Sequence, residues 1–447
     1  MTMPGPSPVV PRTGALPRGV LAGYALGSLV TGAFGAVPGL LLLPYLTDTL
    51  GVAAGVAGLL VLLPKAWDVL VNPVAGRISD ARGSRRPFLL VAGLLLGVLF
   101  AAIFAAPFGG GAASGAYVAV AFLAAATAYA FFQVPYVAMP AELTDGYAER
   151  TRLMTWRVAV LACAILVSGA LAPLVVDLTG GGREGHRWSG AFVGALIVVG
   201  TLATFWGTRN AGARTAAESE PSLRAQLRVA SGNRPFRALL ICFVVQAAGI
   251  GTMLAGVQYF ADHVLAQPSG ATFLFAAFVG PALLVMPLWT AVGNRYGKLR
   301  SLIASSLLFA AGALVLLSAP ALPPVAVYLI VAVIGAGYAG QQVFALSMLP
   351  DCIAYDTERT RRRQAGVFTG LWTAGETFGL ALGPGIYAVM LQLTGYASSA
   401  TGESAAQTGT ARLGVLLGFT VVPAVLVGAA LVLLRGYREL TRSEVPS

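Results

Sequence analysis

Twelve apolar runs divide this chain, near residues 20–46, 52–76, 88–108, 116–140, 155–177, 189–208, 237–261, 271–292, 301–319, 324–349, 366–393 and 413–434. About 20 apolar residues in a helix cross ~30 Å of hydrocarbon. No water reaches that depth, so each backbone N–H and C=O must be paired within its own segment. Helices meet this demand, and runs of this length predict an all-α membrane protein with twelve transmembrane helices. The low charged fraction, 11 %, and mean hydropathy of +0.78 fit a lipid-facing surface. The 55 glycines suit close helix packing in a bilayer.

The net charge of +11 invites a nucleic-acid reading, which the placement of the charges rejects. Of the 29 Lys and Arg, only Arg183, Arg187 and Arg412 fall in loops on one side, and Lys65 lies inside a run. The rest cluster in loops on the other side. By the positive-inside rule that side is cytosolic, and an even number of spans places both termini there. A plasma-membrane location follows as the expectation. Residues 1–18 carry five prolines and read as a disordered cytosolic tail, not a signal peptide. Cys163, Cys242 and Cys352 show no ligand-like spacing and read as packing residues, and no metal site is expected.

The longest polar stretch, within 209–236, splits the spans six and six. This predicts an N-terminal bundle over 19–208, a C-terminal bundle over 237–435 and a cytosolic tail over 436–447. A short surface helix is expected around Ser222–Leu227 of the central loop. The halves echo each other: MPAELTDGYAERTR follows span four and LPDCIAYDTERTR follows span ten. GRISDARGSRR after span two corresponds loosely to GNRYGKLR after span eight. Duplicated six-helix halves are the mark of transporters that rock two bundles about a central site.

Charges inside the runs point to that site. Asp68 and Asn72 are four apart, so they share one face of span two, and Lys65 lies nearly on it. Glu376 sits eleven residues into span eleven, about 16 Å along a helix. An ionised group at mid-bilayer costs roughly 2.5–3.5 kcal/mol on insertion scales. Such a group must face the protein interior and find a partner or an ion. Lys65 could serve as a purely structural partner for Asp68 or for Glu376. Counting Arg157 at the cytosolic boundary, two acids and one lysine leave one negative charge for a proton or a cation to neutralise.

Gln133, Gln246, Gln341 and Gln342 suit either hydroxyl recognition or interhelical bonding. Tyr129, Tyr136, Trp156, Tyr338 and Trp372 either line a path or pack. Arg157 either snorkels to the surface or faces a cavity. At the cytosolic side, Asp80 with Arg85 and Arg86, Glu142 and Asp145 with Arg152, and Asp351 and Asp356 with Arg361 form either a gate between the halves or a solvated, orientation-setting face. His186 and His263 lie at outer helix ends, and no coupling role is expected of them.

Four stretches carry a family resemblance: WDVLVNPVAGRISDARGSRRP, FFQVPYVAMPAELTDGYAERTR, MLPDCIAYDTERTRRRQAGVFTGLW and ETFGLALGPGIY. With the span pattern they resemble the major facilitator superfamily, and within it the glycoside–pentoside–hexuronide:cation symporters, the melibiose-permease-like group. The resemblance implies two pseudo-symmetric six-helix bundles. It also implies a small-molecule cargo, a coupling cation (H+ or Na+) and no other cofactor. Asp68 matches the first acid of that family's span-two cation motif, but Asn72 stands where the second acid is expected. Gln133 replaces an acid of span four, Glu376 stands where several members have Lys, and Arg157 matches a span-five arginine of sugar binders.

Cation-coupled symport of a sugar- or glycoside-like solute, by a monomer, is therefore the expectation. Proton-coupled efflux of drugs or natural products and lysolipid transport stand as alternatives. A proton needs one carboxyl, whereas sodium needs several oxygen ligands, so Asn72 favours the proton. No H-E-x-x-H, G-x-S-x-G or G-x-x-x-x-G-K-[ST] motif occurs, which argues against a membrane enzyme and against direct ATP drive.

Overall fold

The computed structural model describes residues 16–81, 86–144, 147–209, 231–267, 269–360, 365–399, 406–434 and 437. Among these residues the protein is helical, with no strand. Its long helices are α1 (Arg18–Thr49), α2 (Ala54–Ala81), α3 (Arg86–Ile103), α4 (Gly111–Ala138), α5 (Tyr147–Leu178), α6 (Gly182–Gly207), α7 (Arg234–Leu265), α8 (Gly270–Tyr296), α9 (Lys298–Ala321), α10 (Pro324–Thr360), α11 (Ala365–Leu393) and α12 (Gly409–Leu433). Each coincides with one expected apolar run. Ten are long and apolar enough to cross a membrane. The other two, α2 and α11, have 28 and 29 residues, or roughly 42 Å and more at the helical rise. Residues 1–15 of the tail expected over 1–18, and the surface helix expected in the central loop, lie outside the described residues, and α1 already begins at Arg18.

The runs that looked 25 residues long extend further where charge can leave the lipid. Helix α10 has 37 residues, about 55 Å. Its last turns carry Asp351, Asp356 and Arg359 beyond the apolar stretch. The face where α1 begins and α12 ends is here the terminal face, and the opposite one the far face.

Helices α1 to α6 pack among themselves, as do α7 to α12, and the two sets meet along α2–α11, α5–α8 and α1–α7. The α2–α11 contact depends on Gly58, where a Cβ would overlap that of Ala388. Without side-chain bulk at that point, two backbones approach as closely as small-residue membrane interfaces require.

Helix α1 is interrupted at Gly27, and the cause lies on α4. A Cβ at Gly27 would collide with the Tyr136 ring. Tyr136 wedges into the break, and its hydroxyl donates to the Tyr24 carbonyl at 2.8 Å, which also accepts from the Gly27 N–H at 3.1 Å. Both α1 and α7 end at the far face in a five-residue π-helical turn, Tyr45–Thr49 and Ala261–Leu265. Such widened turns recur at functional sites.

Candidate functional site

Helices α2 and α11 run antiparallel, with Gly55 N–H donating to Gln392 Oε1 at 3.1 Å and Gly58 against Gly385 and Ala388. Along this register Asp68 lies ten residues past Gly58 and Glu376 nine to twelve before its partners. That is about 14–18 Å from the contact on both helices. The backbone of Asp68 is therefore level with Glu376, on helices of different halves. The side chains of Lys65 and Asp68 lie outside the described residues. Asn72, one turn on, is exposed. Trp67 fixes this part of α2 to α4 by donating from Nε1 to Thr127 Oγ1 at 3.0 Å.

Around Glu376 the C-terminal half assembles a polar cluster. Gln342 of α10 donates from Nε2 to Glu376 Oε1 at 3.2 Å and to Tyr338 Oη at 2.9 Å. Trp372, one turn before Glu376 on the same face, is 2 % exposed and stacks on Phe243 at 4.2 Å. Gln246 donates to Ser306 Oγ at 2.9 Å. No ion pair involves Glu376 among the described residues.

Several buried atoms of the C-terminal half lack a hydrogen-bond partner among the described residues: both amide atoms of Gln341, Gln342 Oε1, Gln246 Oε1 and Trp372 Nε1. An unmade hydrogen bond on a buried polar group costs about 1–3 kcal/mol. Buried polar groups in a purely structural interior are nearly all paired, so unpaired atoms on α7, α10 and α11 leave polar capacity in this half for a ligand.

The N-terminal half contributes a second cluster, nearer the terminal face. The Arg157 guanidinium lies 5.3 Å over the Tyr136 ring, and Tyr24 stacks on Tyr136 at 4.8 Å. Ser28 Oγ donates to the Arg157 carbonyl at 3.0 Å. Arg157 Nε and Tyr24 Oη are buried without partners. Tyr136 is fully buried and commits its hydroxyl to the helix break, and Tyr129 stacks on Phe34 at 4.3 Å. Gln133 is half-buried. Of the expected residues, Gln342, Tyr338 and Glu376 are joined in one half and Arg157 and Tyr136 in the other, where the break in α1 adds Tyr24 and Ser28.

The charged clusters of the terminal face make their described contacts within one half. Lys298 pairs with Asp351 at 2.8 Å, Arg152 with Glu149 at 3.5 Å, and Arg86 donates to the Arg209 carbonyl. Asp356 is buried and accepts from Thr360. Arg85, Asp145 and Arg361, and the side chains of Asp80 and Glu142, lie outside the described residues.

The far face is different, because hydrogen bonds there cross between the halves. Thr47 Oγ1 and Tyr259 Oη are 2.6 Å apart. Tyr396 Oη donates to Asp48 Oδ1 at 3.0 Å and lies 2.8 Å from His263 Nε2. Ser398 Oγ donates to the Val52 carbonyl and Ser399 N–H to the Thr47 carbonyl. Burial first, then the Asp48 carboxylate, push the Tyr396 phenol far above its ordinary range, so it stays a donor. This network is absent from the expectations drawn from sequence. Its signal was present as Tyr45-Leu46-Thr47-Asp48 and Tyr259-Phe260-Ala261-Asp262, a Tyr-x-x-Asp repeated at the ends of spans one and seven.

Comparison with known proteins agrees with this architecture. The model of a family described as MFS/sugar transport protein matches residues 23–439. An uncharacterized symporter of Bacillus subtilis (strain 168), YnaJ, is 27 % identical over 428 residues, covering 92 % of this chain and 89 % of its own. A putative glycoside/cation symporter of Escherichia coli (strain K12), YagG, is 26 % identical, covering 93 % and 91 %. Among solved structures, the nucleoside transporter NupG superposes with a TM-score of 0.65 at 13 % identity, covering 95 % of this chain and all of that one. With twelve long helices in two six-helix sets among the described residues and a family match over nearly its whole length, the chain belongs to the MFS/sugar transport protein family and is a multi-pass membrane transporter of the major facilitator fold.

Proposed function

We propose that the protein is a cation-coupled symporter of a small, sugar- or glycoside-like solute, working as a monomer by alternating access in the plasma membrane. The observation that carries this reading is the level placement of Asp68 and Glu376 on facing helices of the two halves, beside buried polar atoms without partners. A cargo hydroxyl can satisfy both the donor and the acceptor of the Gln341 amide, or donate to Gln342 Oε1, whose Nε2 is already engaged. Arg157 and Gln133 offer donors from the other half. A coupling cation near Asp68, Asn72 and Glu376, with Lys65 close by in sequence, removes the excess negative charge before the halves move.

The proton is favoured over sodium because Asn72 takes the place of a second carboxylate. In this reading the terminal face is cytosolic, by the positive-inside bias. The far face, joined across the halves, is then the closed outer gate. The bundles over 19–208 and 237–435 are the rocking units. The acidic and basic clusters of the terminal face, Asp80, Glu142, Asp145, Asp351 and Asp356 with Arg85, Arg86, Arg152 and Arg361, join across the halves when the outer gate opens.

The test is uptake of a panel of glycosides and pentosides into proteoliposomes with an imposed proton or sodium gradient. Accumulation driven by an inward proton gradient, and collapsed by a protonophore, is expected. Uptake indifferent to both gradients would contradict symport.

A further inference from the structure

The acid-bearing π-turns occupy matching places in the two halves, and the structure uses them differently. Asp48 of α1 reaches across to Tyr396 of the other half. Asp262 of α7 accepts from Gln258 Nε2 at 3.1 Å to each oxygen. It lines, with Asp177, Gln258 and Gln267, a cavity of about 450 Å³ at the same face. His263, next in sequence, touches the Asp48 chain through Tyr396. The Tyr396 hydroxyl donates to Asp48, so its oxygen is left to accept from His263 Nε2–H. The three groups form a continuous hydrogen-bonded chain from one half to the other, beside a polar cavity.

The charge balance around this chain is unfavourable to a bare carboxylate. Asp262 is a second acid on the same face, and the rings packed against Tyr396 and behind it are the phenols of Tyr259 and Tyr387. The nearby groups able to carry positive charge are His263 itself, Arg412 at the start of α12, and His186 of α6, whose Nδ1 lies 3.5 Å from Oγ1 of Thr49 beside Asp48. No ion pair involves Asp48 among the described residues. Enclosing an anion without a cation against it is costly. One proton on the Asp48 carboxyl removes that cost. When the halves part at the far face, Asp48 returns to water and the cost disappears.

We propose that Asp48, Tyr396 and His263 form a second proton-binding site of the transport cycle, which takes up a proton from the far side as the outer gate closes. This rests on the alternating-access reading and adds a site separate from Asp68 and Glu376. By linkage, a conformation that holds more protons is favoured as pH falls, so acid closes the outer gate.

The experiment uses full-length protein in nanodiscs, with its native cysteines replaced and spin labels at Ala53→Cys and Ala397→Cys, both exposed positions flanking the gate. The inter-label distance distribution is measured by pulsed EPR from about pH 8 to about pH 5, the range in which a histidine-linked site responds. The short-distance fraction is expected to rise as pH falls, and Asp48→Asn to stay short throughout. A wild-type distribution independent of pH, or an Asp48→Asn response equal to wild type, would overturn the proposal. If Asp48→Asn fails to fold, Tyr396→Phe keeps the ring and cuts the chain. Its short-distance fraction should fall and its pH response flatten, and an unchanged profile would overturn the proposal equally. The readout needs no cargo, so a pH-responsive gate without cation-driven uptake would contradict symport alone. Asp68→Asn should leave the gate's pH response intact.

Discussion

Two regions of this molecule bring carboxyl groups between its halves, and they are built in opposite ways. At the far face Asp48, Tyr396, His263, Thr47 and Tyr259 each find a partner, most of them in the other half. In the half that holds Glu376, amide and indole atoms of Gln341, Gln342, Gln246 and Trp372 are buried and unpaired among the described residues. A gate holds by saturating its own hydrogen bonds. A binding site must keep polar capacity in reserve, at a cost to stability, so that cargo and cation can complete it. The difference separates what closes the transporter from what it carries.

Four substitutions break or sharpen this contrast. Glu376→Gln removes the charge but keeps the shape, and gradient-driven uptake should fall by about 100-fold, equal to ~2.7 kcal/mol, with insertion unchanged by membrane fractionation. Gly58→Leu acts on the other region. A side chain there must push α2 from α11, so the far face should close poorly. Uptake should drop more than about tenfold, and overpacking should cost about 1–3 kcal/mol in a thermal-unfolding assay.

Gln341→Leu tests the reserve directly. It replaces an unpartnered buried amide by an apolar group, so stability in a thermal-unfolding assay should hold or rise, by up to ~1–3 kcal/mol of relieved desolvation. Uptake should nonetheless fall about tenfold. A variant that loses stability and activity together would mark Gln341 as structural. The smallest effect is expected from Thr47→Val, which removes the 2.6 Å contact with Tyr259. It should destabilise by about 1 kcal/mol and slow uptake only a few-fold.

Much of the fold was legible in the sequence because the bilayer is a demanding solvent. Each apolar run became a helix, and the helix ends moved outward where polar termini leave the lipid, as in α10. Glu376 and its glutamines could be read because charge and amides are rare in such runs. The far-face network was not legible from hydropathy. Asp48 stands at the end of a run, where an acid costs little. Its partner Tyr396 is 348 residues away, and only folding brings them together. The break in α1 was hidden for a related reason: Gly27 looks like any helix glycine until Tyr136 of α4 wedges against it. The repeated Tyr-x-x-Asp was visible, but neither half shows from sequence which acid will cross to the other.

The most direct test of the account is accumulation of a transported glycoside by Asp68→Asn proteoliposomes under an inward proton gradient. The account holds that cargo cannot be concentrated without this carboxyl, even though the variant inserts and binds its cargo. Uptake should therefore stop at equilibrium while the wild type accumulates. Accumulation equal to the wild type would contradict the assignment of Asp68 to the coupling site, and with it the central claim.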